Sequence, residues 1–121
     1  MSTYLINHLR IPGGVPNEAG LSYLEQVEAT AKPFGGKWLA QGDADVVEGA
    51  WPGSVVLIEF PSRADAENWY NSPDYQKILP LRVNNAISDL ILVDSVGPDF
   101  TVRGFAQQIR AAIAGASGIE V

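Results

Sequence analysis

Residues 3 to 11, "TYLINHLRI", alternate between two side-chain sets, which is the period of a strand. Tyr4, Ile6, His8 and Arg10 fall on one face, and Leu5, Asn7, Leu9 and Ile11 on the other. The Gly- and Pro-rich "PGGVPNEAG" then breaks the pattern. Asn17 is placed to cap a helix, in which Leu21, Leu24, Val27, Ala31 and Phe34 recur at steps of three and four as one apolar stripe. Pro33 and the glycines at 35 and 36 close that helix. "KWLAQG" and "ADVVEG" read as a strand bent at Gly42, and "AWPG" as a turn. "SVVLIEF", rich in β-branched residues, is the clearest strand, and Pro61 ends it. Ser62 with Asp65 forms a capping box for a short helix through Ala66, Trp69 and Tyr70. Ser72 caps a second helical segment with Pro73 in its first position. "SDLILVDSV", residues 88 to 96, is the last strand.

The order is therefore strand, helix, strand, strand, helix, strand. With one antiparallel sheet and the helices on one face, this is the ferredoxin-like, α+β arrangement. Its other face is bare. Val55, Leu57, Leu90 and Leu92 on that face would make a large apolar patch, which monomers rarely expose. A homodimer that joins two sheets face to face is the expected way to bury it. Residues 1 to 97 make up this domain, and residues 98 to 121 a C-terminal helical extension. In the extension Val102, Phe105, Ile109, Ala112 and Ile113 repeat at helical spacing before "GASG". Residues 100 to 114 should form a helix docked by that stripe, across the dimer partner, because a helix of about 15 residues is marginal alone in water.

Composition narrows the function classes. With 121 residues, 46% hydrophobic and 18% charged, the chain is long enough and apolar enough for one domain with a core. A net charge of −6 argues against nucleic acid and against anionic membranes as partners. There is no cysteine and one histidine, His8, so a metal site within one chain is not expected. Asp43, Asp45 and Glu48 cluster, but hard cations want more oxygens in a defined loop, and a solvated turn is the simpler reading. "MSTYLINHLR" lacks a basic region followed by a long apolar run, so no signal peptide is expected, nor is any run long enough to span a membrane. A cytoplasmic protein is the default. Phosphate-cradling loops, nucleophile elbows and dinucleotide fingerprints are missing from the sequence, and no cofactor is expected.

"GGKWLAQG", "VVEGAWPGSVVLIEFPSRADAENWYNSPDYQKILPLR" and "LILVDSV" resemble a bacterial family of unknown function built as dimeric α+β barrels. The resemblance rests on Gly35 and Gly36, on Glu48 to Trp51, on Glu59 to Ser62, on Trp69 to Tyr75 and on Arg82. It covers residues 1 to 97 and implies the ferredoxin-like fold and the barrel dimer, but no reaction. Two departures stand out: the loop "RIPGGVPNEAG", and the tail after Val96, which lies outside the pattern. Both lie where they could reshape the mouth of a pocket.

Two constellations could carry chemistry. Tyr75, Ile78, Leu79 and Arg82 share one helix face, provided the helix survives Pro80. There Arg82 and Tyr75 could orient a carboxylate or enolate, since a guanidinium donates in a planar fork. Alternatively, Arg82 pairs with a nearby carboxylate and Tyr75 simply packs; Trp69 and Tyr70 read as helix-to-sheet packing. The second constellation is His8 with Glu59. Val56, Ile58 and Phe60 are wholly apolar and belong under the helices, so Val55, Leu57 and Glu59 face the other way. His8 and Glu59 could then meet across neighbouring strands as an acid/base pair or as a structural one. An inward-facing Asn7 in place of His8 stays open. By fold analogy alone, the function is that of a cofactor-independent enzyme (isomerase, cyclase or monooxygenase type) acting by proton transfer on a small organic substrate. His8 would be the base, Glu59 its orienter, and Arg82 with Tyr75 the anion stabilisers. The rival is a non-catalytic ligand-binding or assembly module.

Overall fold

The computed structural model describes residues 1–117. At the centre of its sheet is β1 (Thr3–Arg10), which pairs antiparallel with β3 (Ser54–Phe60) on one side and β4 (Ile87–Asp94) on the other. β2 (Lys37–Asp43) pairs antiparallel with the outer edge of β3, which gives the order β2-β3-β1-β4. Helices α1 (Glu18–Ala31), α2 (Arg63–Tyr70) and α3 (Pro73–Val83) cover one face of the sheet. Helix α4 (Val102–Ser117) follows β4. This is the ferredoxin-like βαββαβ fold with an added C-terminal helix. The tail's last residues, 118 to 121, lie outside the described residues.

Local chemistry sets the helix starts. The Asn17 side chain accepts the Gly20 N–H at 2.9 Å and caps α1. Ser62 accepts the Asp65 N–H, and its hydroxyl donates to the Asp65 carboxylate at 2.9 Å. Ser72 accepts the Tyr75 N–H and donates to the Trp69 carbonyl, so one hydroxyl ends α2 and begins α3. α3 continues through Pro80, whose ring removes one donor from the helix without ending it.

The glycine pair after α1 has two separate jobs. Gly35 adopts φ +76°, the left-handed conformation that stops the helix. At Gly36, a Cβ would lie 2.8 Å from the Ala31 Cβ and 2.9 Å from the Phe60 ring. The chain therefore enters β2 pressed against the core. Within that core Leu5, Val27, Ala31, Val56, Ile58, Phe60, Ala66, Trp69, Tyr75 and Ile78 are buried. Trp69 is anchored by its indole N–H donating to the Thr30 hydroxyl at 3.0 Å.

Three expectations need correction. "ADVVEG" is not strand: β2 stops at Asp43, and residues 44 to 53 form an exposed loop in which Val47 is almost fully solvated. The two adjacent valines have no strand to pair with there, because β3 begins only at Ser54, opposite Asp43. Leu90 and Leu92 lie on the covered face, since they pair with Asn7 and Leu5 of β1. The residues of β4 on the bare face are instead Ile87, Asp89, Ile91 and Val93. The C-terminal helix begins at Val102 rather than residue 100 and runs through Gly115 to Ser117, past the expected end at residue 114. Its apolar stripe of Val102, Phe105, Ile109 and Ile113 is exposed in the isolated chain.

β2 also carries a bulge between Trp38 and Ala40, which leaves Leu39 unpaired and exposed.

Gly36→Ala should destabilise the fold by about 1–3 kcal/mol, because the added methyl must displace both Ala31 and Phe60. Thermal unfolding measures it, and an unchanged midpoint would show that this corner of the core can give way.

Candidate functional site

A cavity of about 60 Å³ lies between the covered face of the sheet and helices α1 and α3. That is several times the roughly 10–15 Å³ that one water needs on the same measure. Its walls are mostly apolar, with Leu9, Val27, Trp38, Val56 and Leu90 among them. Asn7, Tyr23, Gln41, Arg82 and Asn85 bring the polar groups. A second, more open cavity of about 420 Å³ lies beside α2, α3 and β4. Arg82, Leu5 and Leu90 line both.

Arg82 is the centre of the site. It is only 7% exposed, yet no carboxylate among the described residues pairs with it. Among the described residues the ion pairs are Arg10–Asp89 and Arg63–Asp94, both at the surface. The Arg82 guanidinium instead donates to the fully buried Tyr75 hydroxyl at 3.3 and 3.4 Å and stands 5.9 Å from the centre of the Tyr23 ring. Tyr75 and Tyr23 share a hydroxyl–hydroxyl bond of 2.8 Å. Either hydroxyl can donate in that bond, and Tyr23 also lines the cavity.

Burial pushes the Tyr23 hydroxyl far above its ordinary pKa, and Tyr75 adds to that rise against the opposing pull of Arg82. Tyr23 is thus a neutral donor at physiological pH. Burial works against the Arg82 charge, but the two tyrosine oxygens more than offset it and its pKa sits above the ordinary value. The site therefore presents a permanent cation and a neutral O–H in apolar surroundings.

Asn7 faces this cavity from β1. It is 6% exposed, and its carboxamide oxygen is buried without a hydrogen-bond partner. The far rim is formed by the loop after β1 (Ile11, Pro16) and the turn after α3 (Asn85, Ala86). There Asn17 donates to the Asn85 side-chain oxygen at 2.6 Å, tying the two segments together. The "PGGVPNEAG" loop thus reaches the cavity's edge.

The sequence-derived candidates divide between the two faces. Tyr75 and Arg82 come together as the helix spacing implies. His8 and Glu59 share the bare face, on adjacent strands, but do not meet. His8 stands opposite Val55, and Glu59 opposite Tyr4. Four residues of strand separate them, roughly 13 Å. His8 has other partners: its ring stacks on Trp51 with centroids 4.1 Å apart, Nε2 donates to the Pro52 carbonyl, and Nδ1 accepts from Arg10 at 2.9 Å. Arg10 in turn pairs with Asp89, holding that carboxyl below the usual carboxylate range. Asp43, Asp45 and Glu48 are all exposed. Tyr23 and Asn85 escaped the sequence reading. The available signal for Tyr23 was its spacing of four and eight from Val27 and Ala31, the two buried residues of α1.

The pattern of domain of unknown function DUF1330 matches residues 2–96. The chain belongs to the DUF1330 family. The match takes in Asn7, Tyr23, Tyr75 and Arg82, so the cavity lies wholly within the DUF1330 domain, and α4 lies outside it. No curated protein matches the chain. Among solved structures, a protein of unknown function from Rhodopseudomonas palustris is similar at 22% identity, covering 80% of this chain and 84% of that one, with a TM-score of 0.64. SnoaB, a cofactor-independent oxygenase from Streptomyces nogalater, is similar at 11% identity over 83% of this chain and 97% of its own, with a TM-score of 0.55. A dimeric protein of unknown function and ferredoxin-like fold from Bacteroides fragilis is similar at 13% identity over 78% and 96%, with a TM-score of 0.51. At these identities the likeness is one of fold. No helix among the described residues is long and apolar enough to cross a membrane.

Two outcomes follow for the DUF1330 site. Replacing one partner of a buried ion pair costs about 3–5 kcal/mol. Arg82 has no such partner among the described residues, so Arg82→Met should cost less than about 2 kcal/mol in chemical denaturation. A larger loss would mean that the guanidinium is a structural strut. The second concerns pH. Tyr23 keeps its proton in the folded state when the unfolded state, near pKa 10.0, gives it up. Its contribution is therefore complete below pH 10 and is lost as pH rises further. Tyr23→Phe should flatten the fall in stability above pH 10, and an equally steep fall in the variant would remove Tyr23 as its source.

Proposed function

We propose that this DUF1330 chain forms a homodimer and uses the cavity under its sheet to bind a small organic anion, as a cofactor-independent enzyme of the isomerase, cyclase or monooxygenase type. The observation that carries the reading is Arg82, a buried guanidinium with no carboxylate among the described residues to neutralise it. Taking an ion out of water costs several kcal/mol even after relaxation. A site that keeps such a charge unpaired in an apolar cavity is prepared for a charge that arrives with a ligand.

The groups suit an enolate or phenolate. As a carbon or oxygen acid loses its proton to water at the cavity mouth, the electron pair left behind gathers on an oxygen. The guanidinium and the Tyr23 O–H can both donate to that oxygen, and the apolar walls strengthen both interactions. Tyr75 acts through them by fixing the guanidinium and orienting Tyr23. His8 and Glu59 lie on the opposite face of the sheet and take no part in this chemistry within one subunit. SnoaB, which works without a cofactor on the same fold, supports the enzyme type by analogy.

The homodimer belongs to the same reading. Tyr4, Ile6, Val55, Leu57, Ile91 and Val93 share the bare face of the sheet, with Ile91 and Val93 about half exposed. Burial of apolar surface contributes roughly 25 cal/mol per Å², and the Bacteroides fragilis protein of this fold is dimeric. A cytoplasmic location fits this picture of a small-molecule enzyme.

Calorimetry with benzoate tests the anion site. The wild-type protein should bind it, and Arg82→Lys should bind at least tenfold more weakly with its melting temperature nearly kept, because an ammonium lacks the planar fork. If the wild type does not bind benzoate, the reading fails. Catalysis is tested separately by deuterium exchange at the α-carbon of ethyl acetoacetate. Acceleration that is lost in Arg82→Lys supports an enzyme, whereas benzoate binding without acceleration leaves a binding module. Sedimentation at micromolar concentration should give a dimer, and a stable monomer would overturn that part.

A further inference from the structure

We infer that the cavity selects an organic anion that carries a hydroxyl beside its charged oxygens, of the 2-hydroxy-carboxylate or enediolate class, and that Asn7 is the residue that selects it. The inference rests on the anion-binding reading of Arg82 and adds a second recognition point to it.

The decisive surface is the covered face of the sheet. On β1 and β4 it presents Leu5, Asn7 and Leu9 beside Leu92, Leu90 and Ser88, in register. Apolar side chains would serve any of these positions. Yet Asn7, at the middle of the central strand, is a carboxamide whose oxygen has no partner. Leaving such a group buried and unsatisfied costs roughly 1–3 kcal/mol, so a leucine would have made a better core. Asn7 is nine-tenths buried and lines the same cavity as the guanidinium. Leu5, two residues before Asn7, and Leu90, its cross-strand partner, also line both of the cavities that Arg82 lines. The two unmet demands, one for negative charge and one for hydrogen bonding, thus converge on one small space.

A plain carboxylate answers only the first demand. The carboxamide offers an acceptor oxygen and a donor nitrogen, and a hydroxyl, which both donates and accepts, pairs with either. An acid with a hydroxyl on the neighbouring carbon carries both groups within one short span. A site whose buried polar group is built to bond a hydroxyl rejects the analogue without it, because that analogue leaves the polar group unpaired. The whole cavity is about 60 Å³, less than half of the roughly 150 Å³ that encloses a benzene ring, so it takes the hydroxy-acid head and leaves the body of a larger ligand at the rim formed by Pro16 and Asn85.

Phenylacetate and mandelate differ by that one hydroxyl, so calorimetry with the full chain and the two mandelate enantiomers isolates it. Wild type should bind one enantiomer of mandelate at least tenfold more tightly than phenylacetate. Asn7→Leu, which keeps the branched shape without a polar group, should bind the two acids within about threefold of each other, since it removes the hydrogen-bonding group that tells them apart. Asn7→Asp gives Arg82 the carboxylate it lacks, and should lose binding of mandelate, phenylacetate and benzoate alike. Wild type that binds benzoate but does not distinguish mandelate from phenylacetate overturns the inference and leaves the anion site standing. The same holds if Asn7→Leu keeps the preference, or if Asn7→Asp still binds anions. Wild type that binds none of the three acids overturns the anion site itself.

Discussion

A positive charge buried without a negative one is the constraint around which this molecule is arranged. Arg82 can remain charged beneath the sheet because α3 carries Tyr75 seven residues earlier on the same face, and α1 brings Tyr23 against both. The arrangement needs α3 to run unbroken from Tyr75 to Arg82, across Pro80. It also needs α3 to start where Ser72 places it. A single serine hydroxyl, joining the end of α2 to the start of α3, thereby sets the position of a guanidinium almost three turns away.

The two faces of the sheet use polar groups in opposite ways. On the bare face they are satisfied among themselves: His8 is held by Trp51, Pro52 and Arg10, and Arg10 by Asp89. This network ties the long loop after β2 back to β1 and gives the imidazole neighbours that stabilise rather than activate it. On the covered face Asn7 and Ser88 keep buried oxygens without partners. Unsatisfied groups cost free energy and are uncommon in cores. Their place beside the two cavities that share Arg82 sets this face apart from the bare one.

Much of this was legible in the sequence where the signal is local. Asn17, Ser62 and Ser72 each cap the helix their position announces, since a cap depends on residues only a few positions away. The alternation in "SVVLIEF" set Val56, Ile58 and Phe60 under the helices, and strand parity placed His8 outside and Asn7 within. Parity failed in "LILV", where four consecutive apolar residues carry no alternation and only pairing with β1 decides which of them face inward. Parity also says which face a residue takes but not how far along the strand it lies. His8 and Glu59 are correctly on one face and still too far apart to act together. Tyr23 was hidden because Leu21 and Leu24 make an apolar stripe of their own, and both prove only partly buried.

The bulge in β2 has a consequence for how copies of this chain can meet. A regular edge strand offers a row of free N–H and C=O groups that a neighbouring chain can extend without limit. Here the extra residue at Leu39 interrupts that row along one edge. The opposite edge, β4, carries the ion pairs Arg10–Asp89 and Arg63–Asp94, and a strand laid along it would have to desolvate them. Growth by adding strands is therefore discouraged on both sides. Contact across the flat of the sheet has no such barrier, and it ends once two faces are used. The irregularity of one outer strand thus favours a closed, finite assembly over a fibre.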